Sequence, residues 1–215
     1  MAMEKEKHAS IGETISCQSG CAACCRMMVP VSPPEAFTLK EAIARLSETQ
    51  QTQIRDRIAN TQAKLNEAGL LGRLVQLSET HQQLSDENIE PINQDYYAQR
   101  LPCPFLENEI CSIYEDRPAA CRELLVTSPA ELCQDLTTNP IRALPIHLRM
   151  GTVLSLLWKK FAGGPVRLIP LPLALDWADK HQSENTRRWT GIQLLEKGMN
   201  NMQEFLNQQA DNNPS

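Results

Sequence analysis

Four cysteines fall within nine residues, Cys17, Cys21, Cys24 and Cys25, and the other four, Cys103, Cys111, Cys121 and Cys133, within one later stretch. Residues 26–102 contain none, and neither does anything after 133. A chain that used cysteine only as a small core hydrophobe would scatter it. Two blocks of four thiols predict one site built from both. Thiolate sulfur is the natural ligand of Zn²⁺ and of iron in iron–sulfur clusters. All eight cysteines are therefore candidate metal ligands, with zinc or iron as the cofactor, the iron including the form of an iron–sulfur cluster.

The first block can work in two ways. As a helix, positions 17, 21, 24 and 25 would put all four thiols on one face. As a loop, the same spacing lets the chain wrap an ion, and Gly20 suits a tight fold of that kind. Cys24 and Cys25 are adjacent, and a disulfide between neighbours is strained. They can serve two ions, or one can ligate while the other packs. The second block has spacings of 8, 10 and 12, too open for a zinc-ribbon knuckle. It suits ligands gathered by a hairpin and two helix starts.

Charge adds a constraint. Zinc with four thiolates carries a net charge of about −2, costly to bury without compensation. Arg26, Arg117 and Arg122 lie in or beside the blocks and can donate to sulfur, or simply form surface pairs with Glu115, Asp116 or Glu123. His8, His81, His147 and His181 are isolated, and each is a weaker ligand candidate than any clustered thiol. No Ser/His/Asp arrangement stands out, so no catalytic residue is assigned. Met199 and Met202 read as core rather than as ligands.

These thiols sit in a chain of 215 residues with 41% hydrophobic and 22% charged residues, ordinary for a globular domain. That length can bury a core without disulfide staples. The formal net charge is −5 and the pI about 5.5, so there is no electrostatic footprint for nucleic acid or an anionic membrane. No apolar run could span a bilayer. The charged start, Met1 to His8, has no apolar stretch behind it and is not a secretory signal. The expected compartment is the reducing cytoplasm, where clustered thiols bind metal or do redox chemistry. The expected partner is a metal ion, and no protein partner is specified.

Few β-branched and aromatic residues predict a mainly α fold: an irregular helical domain with a small β-hairpin and a multi-cysteine metal site. Residues 1–14 read as a mobile arm and 15–135 as the cysteine-cluster domain, with a helical insertion over about 47–95. Residues 136–208 read as a C-terminal helical part packed on the same domain, and 209–215 as a tail. Ser32-Pro33-Pro34-Glu35 is a capping box that starts a helix. Ser47-Glu48-Thr49-Gln50 is a second start, followed by a stripe of Ile54, Ile58 and Leu65. Residues 85–95, polar with Pro91, predict a loop. Residues 103–114 predict the hairpin, with its turn at Glu107-Asn108. A helix follows from Asp116. The most apolar helix lies within 141–161, broken by Gly163-Gly164. Leu168–Leu173 reads as a buried strap, 173–180 as a short helix, and Ser183–Asn207 as the final helix.

Three motifs together resemble a known family: Cys17-x₃-Cys21-x₂-Cys24-Cys25, then Pro102-Cys103-Pro104-Phe105-Leu106, then Cys111-Ser112-Ile113-Tyr114-Glu115-Asp116-Arg117-Pro118-Ala119-Ala120-Cys121-Arg122. They resemble the bacterial YkgJ-type cysteine-cluster family, a zinc- or iron-chelating domain that includes flagellin N-methylase-like members. The resemblance covers about residues 15–135. It implies metal binding by the cysteines at 17, 21, 24, 25, 103, 111 and 121. Cys133 has no matching motif position, so its candidacy rests on composition. The alternative activities are a flagellin-type lysine N-methylase, an iron–sulfur oxidoreductase, or a dithiol redox or metal-delivery protein. The Cys17-x₃-Cys21-x₂-Cys24 spacing is similar to that of radical S-adenosylmethionine enzymes. Those need a βα-barrel, and no alternating strand–helix pattern is present here.

Overall fold

The computed structural model describes residues 14–18, 20–80, 86–136, 138–146 and 148–212. Residues 1–13 of the arm expected over 1–14, residues 213–215 of the tail expected over 209–215, and His8, His81 and His147 lie outside them; residues 209–212 of that tail belong instead to the last helix. Among the described residues the chain forms eight α-helices and two small sheets of two strands each. A mainly helical class with a small hairpin is what the composition predicts.

Local chemistry sets the first helices. Strand β1 (Pro30–Val31) runs into α1 (Pro33–Ala44), where the Glu35 carboxylate accepts from both the amide and the hydroxyl of Ser32, at 2.9 and 2.5 Å. Helix α2 (Glu48–Glu67) starts on the reciprocal Ser47–Gln50 box. It buries Ile54, Ile58, Thr61 and Leu65 along one stripe. Its end is a Schellman motif: Gly69 at φ +70°, Leu70 N–H to Leu65 C=O at 2.8 Å, and Gly69 N–H to Asn66 C=O at 2.9 Å. Helix α3 (Leu71–Glu79) follows directly.

The segment expected to be a loop at 85–95 is instead helix α4 (Asp86–Ala98), with Pro91 inside it. Packing overrides the local signal. Tyr96 and Tyr97 are buried, and Ile89 and Ile92 pack against the core. The hairpin forms as expected, from β2 (Leu106–Glu107) and β3 (Ile110–Cys111), with Leu106 opposite Cys111. Its turn lies one residue later than predicted. Asn108 and Glu109 both have positive φ, 51° and 62°, the conformation of a two-residue turn that suits strand twist. Glu109 adopts it without being glycine, and its carboxylate is gripped by Arg26.

After the hairpin comes a single 3₁₀ turn (Tyr114–Asp116), and the helix expected from Asp116 starts only at Ala119. The helix that carries Cys121 is short: α5, Ala119–Glu123. Another 3₁₀ turn, Ala130–Gln134, carries Cys133. Helix α6 (Met150–Ala162) ends at Gly163, φ +72°. The apolar strap is β4 (Ile169–Pro170), paired antiparallel with β1 so that Val31 faces Ile169. It continues as a buried 3₁₀ turn, Leu171–Leu173, into α7 (Ala174–Lys180).

The core lies where α1, α2, α3 and α7 meet this strap. It includes Leu39, Ile43, Leu65, Leu74, Phe105 and Ile169. Phe37 packs between Trp158 and Trp177, with centroids at 5.7 and 5.5 Å. The last helix, α8 (Gly191–Asn212), begins later than the predicted Ser183, because 182–186 is a 3₁₀ turn. It docks on α6, where buried Asn201 donates to the Val153 carbonyl at 2.9 Å. Met199, expected in the core, is 58% exposed. The docking face of α8 is the one carrying Asn201, which turns Met199 outward.

Candidate metal centre

The first cysteine block is a loop. Three tight turns follow one another: Cys21 N–H to Gln18 C=O at 3.1 Å, Cys25 to Ala22 at 3.0 Å, and Met27 to Cys24 at 3.2 Å. Gly20 sits at φ +86°, a conformation that a Cβ disfavours. The chain thus coils back on itself and cannot line its thiols along a helix face.

Two long-range contacts bring this loop to the second block. The Cys103 amide donates to the Cys25 carbonyl at 2.8 Å. The Ser16 amide donates to the Val126 carbonyl at 2.9 Å, and the Val126 amide donates to the Cys17 sulfur at 3.4 Å. Residues 125–127 are in turn bonded on their other side to Arg142 and Leu144. Helices hold each later cysteine segment. Glu35 of α1 accepts from the Ala119 amide at 2.7 Å and so positions α5 and Cys121. Arg57 of α2 donates to the Pro104 carbonyl at 2.7 Å and pairs with Glu107 at 2.6 Å, fixing the hairpin beside Cys103. Tyr97 and Arg100, at the end of α4, both donate to the Gln134 carbonyl next to Cys133.

None of the eight cysteines forms a disulfide. Their electrostatic neighbours fall into two overlapping groups. Burial, then the nearby sulfurs of Cys121, Cys111 and Cys24, pushes the Cys103 thiol up to about 12. Burial, with Cys24 and Cys111, pushes Cys121 up to about 12 as well. Burial raises Cys111. A hydrogen bond to Cys25, followed by burial, raises Cys24 further still. Cys133, 5% exposed, is raised by burial and by Cys17, Cys24 and Cys21. Charge interactions link Cys103 with Cys111, Cys121 and Cys24, and link Cys133 with Cys17, Cys21 and Cys24. Cys25 hydrogen-bonds with Cys24 and interacts with the charge of Arg26.

Of the three arginines singled out in the sequence, Arg26 interacts with Cys25 and Cys103, and Arg117 with a different set of thiols. Its positive charge opposes the rise at Cys24, Cys111 and Cys121. It lies 3.6 Å over the Tyr114 ring and donates to the Tyr114 carbonyl at 2.9 Å. Arg26 is clamped to Glu109 by bonds of 2.8 and 2.7 Å and also donates to the Ala22 carbonyl. Arg122 donates to the carbonyls of Arg117 and Glu115 and braces the local backbone. His181, the histidine within the described residues, stacks on Trp177 and bonds the Trp177 carbonyl, with Glu79 3.3 Å away. These contacts occupy it away from the cysteine blocks.

The donor set fits a thiophilic ion. Unionised thiols crowded in partial burial cannot each hold a negative charge, whereas a bound cation replaces their protons and neutralises the thiolates together. Among the described residues, no three Cys, His, Asp or Glu side chains already stand in an ion-holding arrangement. Ligation therefore requires the thiols to close in. Sequence reasoning singled out all the sulfurs. It read Glu35 only as a helix cap and missed Arg57, Tyr97 and Arg100 as positioning residues. Each lies on a helix, or for Arg100 just past one, far along the chain from the thiol segment it holds, and no local pattern marks it.

Residues 16–138 match the family model CxxCxxCC, described as a "Putative zinc- or iron-chelating domain". The match covers more than half of the chain. No curated protein and no solved structure matches it significantly. The chain belongs to the CxxCxxCC family.

Proposed function

From that family membership we propose that the chain is a metal-binding protein whose clustered cysteines, drawn from both blocks, hold zinc or an iron–sulfur cluster. The observation that carries the reading is the direct joining of the two blocks, Cys103 N–H to Cys25 C=O, in a region where Arg57 and Glu35 brace the segments that bear Cys103 and Cys121. Cys24, Cys103, Cys111 and Cys121 form the group best suited to one ion, with Arg117 compensating part of the thiolate charge. Bound there, the metal would tie the first cysteine loop to the hairpin of Cys111 and to the α5 helix of Cys121, so it would contribute folding free energy.

Elemental analysis of protein purified without oxygen tests this. Zinc, or iron with labile sulfide, is expected in stoichiometric amount, and a chelator should remove metal and tertiary structure together. A well-folded, metal-free protein that takes up neither metal would end the proposal. The cytoplasm, a reducing compartment in which such thiols stay available, is the location that goes with this reading.

A further inference from the structure

Helix α8 has two faces, and the rest of the described chain occupies one of them. Thr190 and Gln193 cap its start reciprocally, with bonds of 3.0 and 3.3 Å. Trp189, just before it, packs on Phe161 and Trp158 with centroids at 4.8 and 5.9 Å. The face toward α6 sets Asn201 on the Val153 carbonyl, Lys197 over the Phe161 ring and Glu204 on Lys160. The other face is apolar and bare. Ile192, Leu195, Met199 and Leu206 are 70, 64, 58 and 39% exposed, and Met202 is partly exposed beside them. Successive members of this set are 3, 4, 3 and 4 residues apart. That alternation is the a/d repeat of a coiled-coil seam, and nothing among the described residues covers it.

We propose that this seam is a homodimer interface, on which α8 of a second copy of the chain packs antiparallel. The repeat itself favours an identical partner. Turned end for end, one α8 sets its Leu195 against Leu206 of the other copy and its Met199 against Met202, and the two-fold repeats both contacts. Charge points the same way. The seam is bordered by the amides Gln193, Asn200, Gln203 and Asn207, with Glu196 as the one charge beside it, while Lys197 and Glu204 are held on the α6 side. In the antiparallel pair the two Glu196 residues lie about 14 Å apart along the axis, beyond the screening length of about 8 Å in physiological salt. A parallel pair would set them side by side. Area fits as well. Five apolar side chains that each bury on the order of 100 Å² give about 1,000 Å² over two copies, the lower bound for a specific interface. An interface of that size supports a reversible dimer that dissociates in the micromolar range.

Sedimentation velocity of the intact chain over the low to high micromolar range tests this, with reductant present so that thiols do not cross-link copies. Monomer is expected at the lowest concentrations and dimer at the highest. Leu195→Glu and Leu206→Lys should each weaken the dimer at least about tenfold, since each puts a charge into the seam. Combined in one chain, the two substitutions set opposite charges against each other across the antiparallel pair and should restore dimer. Val75→Glu, a charge at an exposed apolar position of α3, should leave the dimer unchanged. Melting curves at low concentration should match the unsubstituted chain in all of these variants, because the seam is bare in the monomer. A chain that is monomeric at every concentration would overturn the proposal, and so would a dimer that Leu195→Glu leaves intact. A dimer lost in both single variants and not restored in the combined one would overturn the antiparallel pairing. None of these results bears on metal binding.

Discussion

The Cys103 amide donates a 2.8 Å hydrogen bond to the Cys25 carbonyl. Four helices separate these residues along the chain, yet the bond places the last thiol of the first block against the first thiol of the second. The core formed by α1, α2, α3 and α7 holds them in that position. The proposed metal site would therefore be a product of the helical frame, and it should respond to changes in the frame as well as in the ligands.

Removing a ligand should cost metal and structure together. Cys21→Ser and Cys121→Ser are each expected to lower metal content and the melting temperature. Elemental analysis with thermal unfolding checks this, and full retention of both properties in both variants would dissolve the shared site.

Glu35 joins the cap of α1 to the first turn of α5 through bonds of 2.9 Å to the Ser32 amide and 2.7 Å to the Ala119 amide. Glu35→Ala should destabilise the protein by about 1–3 kcal/mol, since partly buried amides lose their acceptor. It should also weaken metal binding, because Cys121 rides on α5. Denaturant unfolding with and without metal measures both effects. Equal loss in the two forms would mean that Glu35 acts only as a cap.

Arg117 supplies positive charge to Cys24, Cys111 and Cys121. Arg117→Gln should reduce metal affinity by about 10–100-fold while leaving the ligand count unchanged. Competition with a colorimetric chelator reads the change, and Arg117→Lys should recover part of it. Unaltered affinity in Arg117→Gln would assign this side chain to the Tyr114 contact alone.

The metal-free protein should lose stability in alkali. Burial raises the Cys103 and Cys121 thiols from 9.0 to about 12. Between those values the unfolded chain gives up protons that the folded chain keeps, so stability falls as pH rises through the window. Below about pH 9 the contribution is fully present. In the metal-loaded protein the same sulfurs are already ionised, and this alkaline loss should vanish. Melting temperatures of both forms across that range decide the point.

The capping box at Ser32–Glu35 and the stripe Ile54, Ile58, Leu65 were legible because each depends on residues within two turns of one another. So were the eight sulfurs and their division into two blocks, since thiol clustering needs no knowledge of the fold. Pro91 misled the reading of 85–95, because the burial of Tyr96 and Tyr97 that holds α4 comes from distant parts of the chain. Met199 misled it too, since helical spacing shows that an apolar face exists and not which partner covers it.

By itself, then, the amino-acid order determined which atoms could bind a metal, the mainly helical class, and the first helix starts. These are matters of side-chain chemistry and of contacts a few residues apart. Tertiary structure decided which distant segments meet: the Cys103 amide on the Cys25 carbonyl, the Val126 amide on the Cys17 sulfur, and Glu35 on the Ala119 amide two residues from Cys121. Those relations arise from packing helices against one strap, and the free energy of that packing is shared over the whole core.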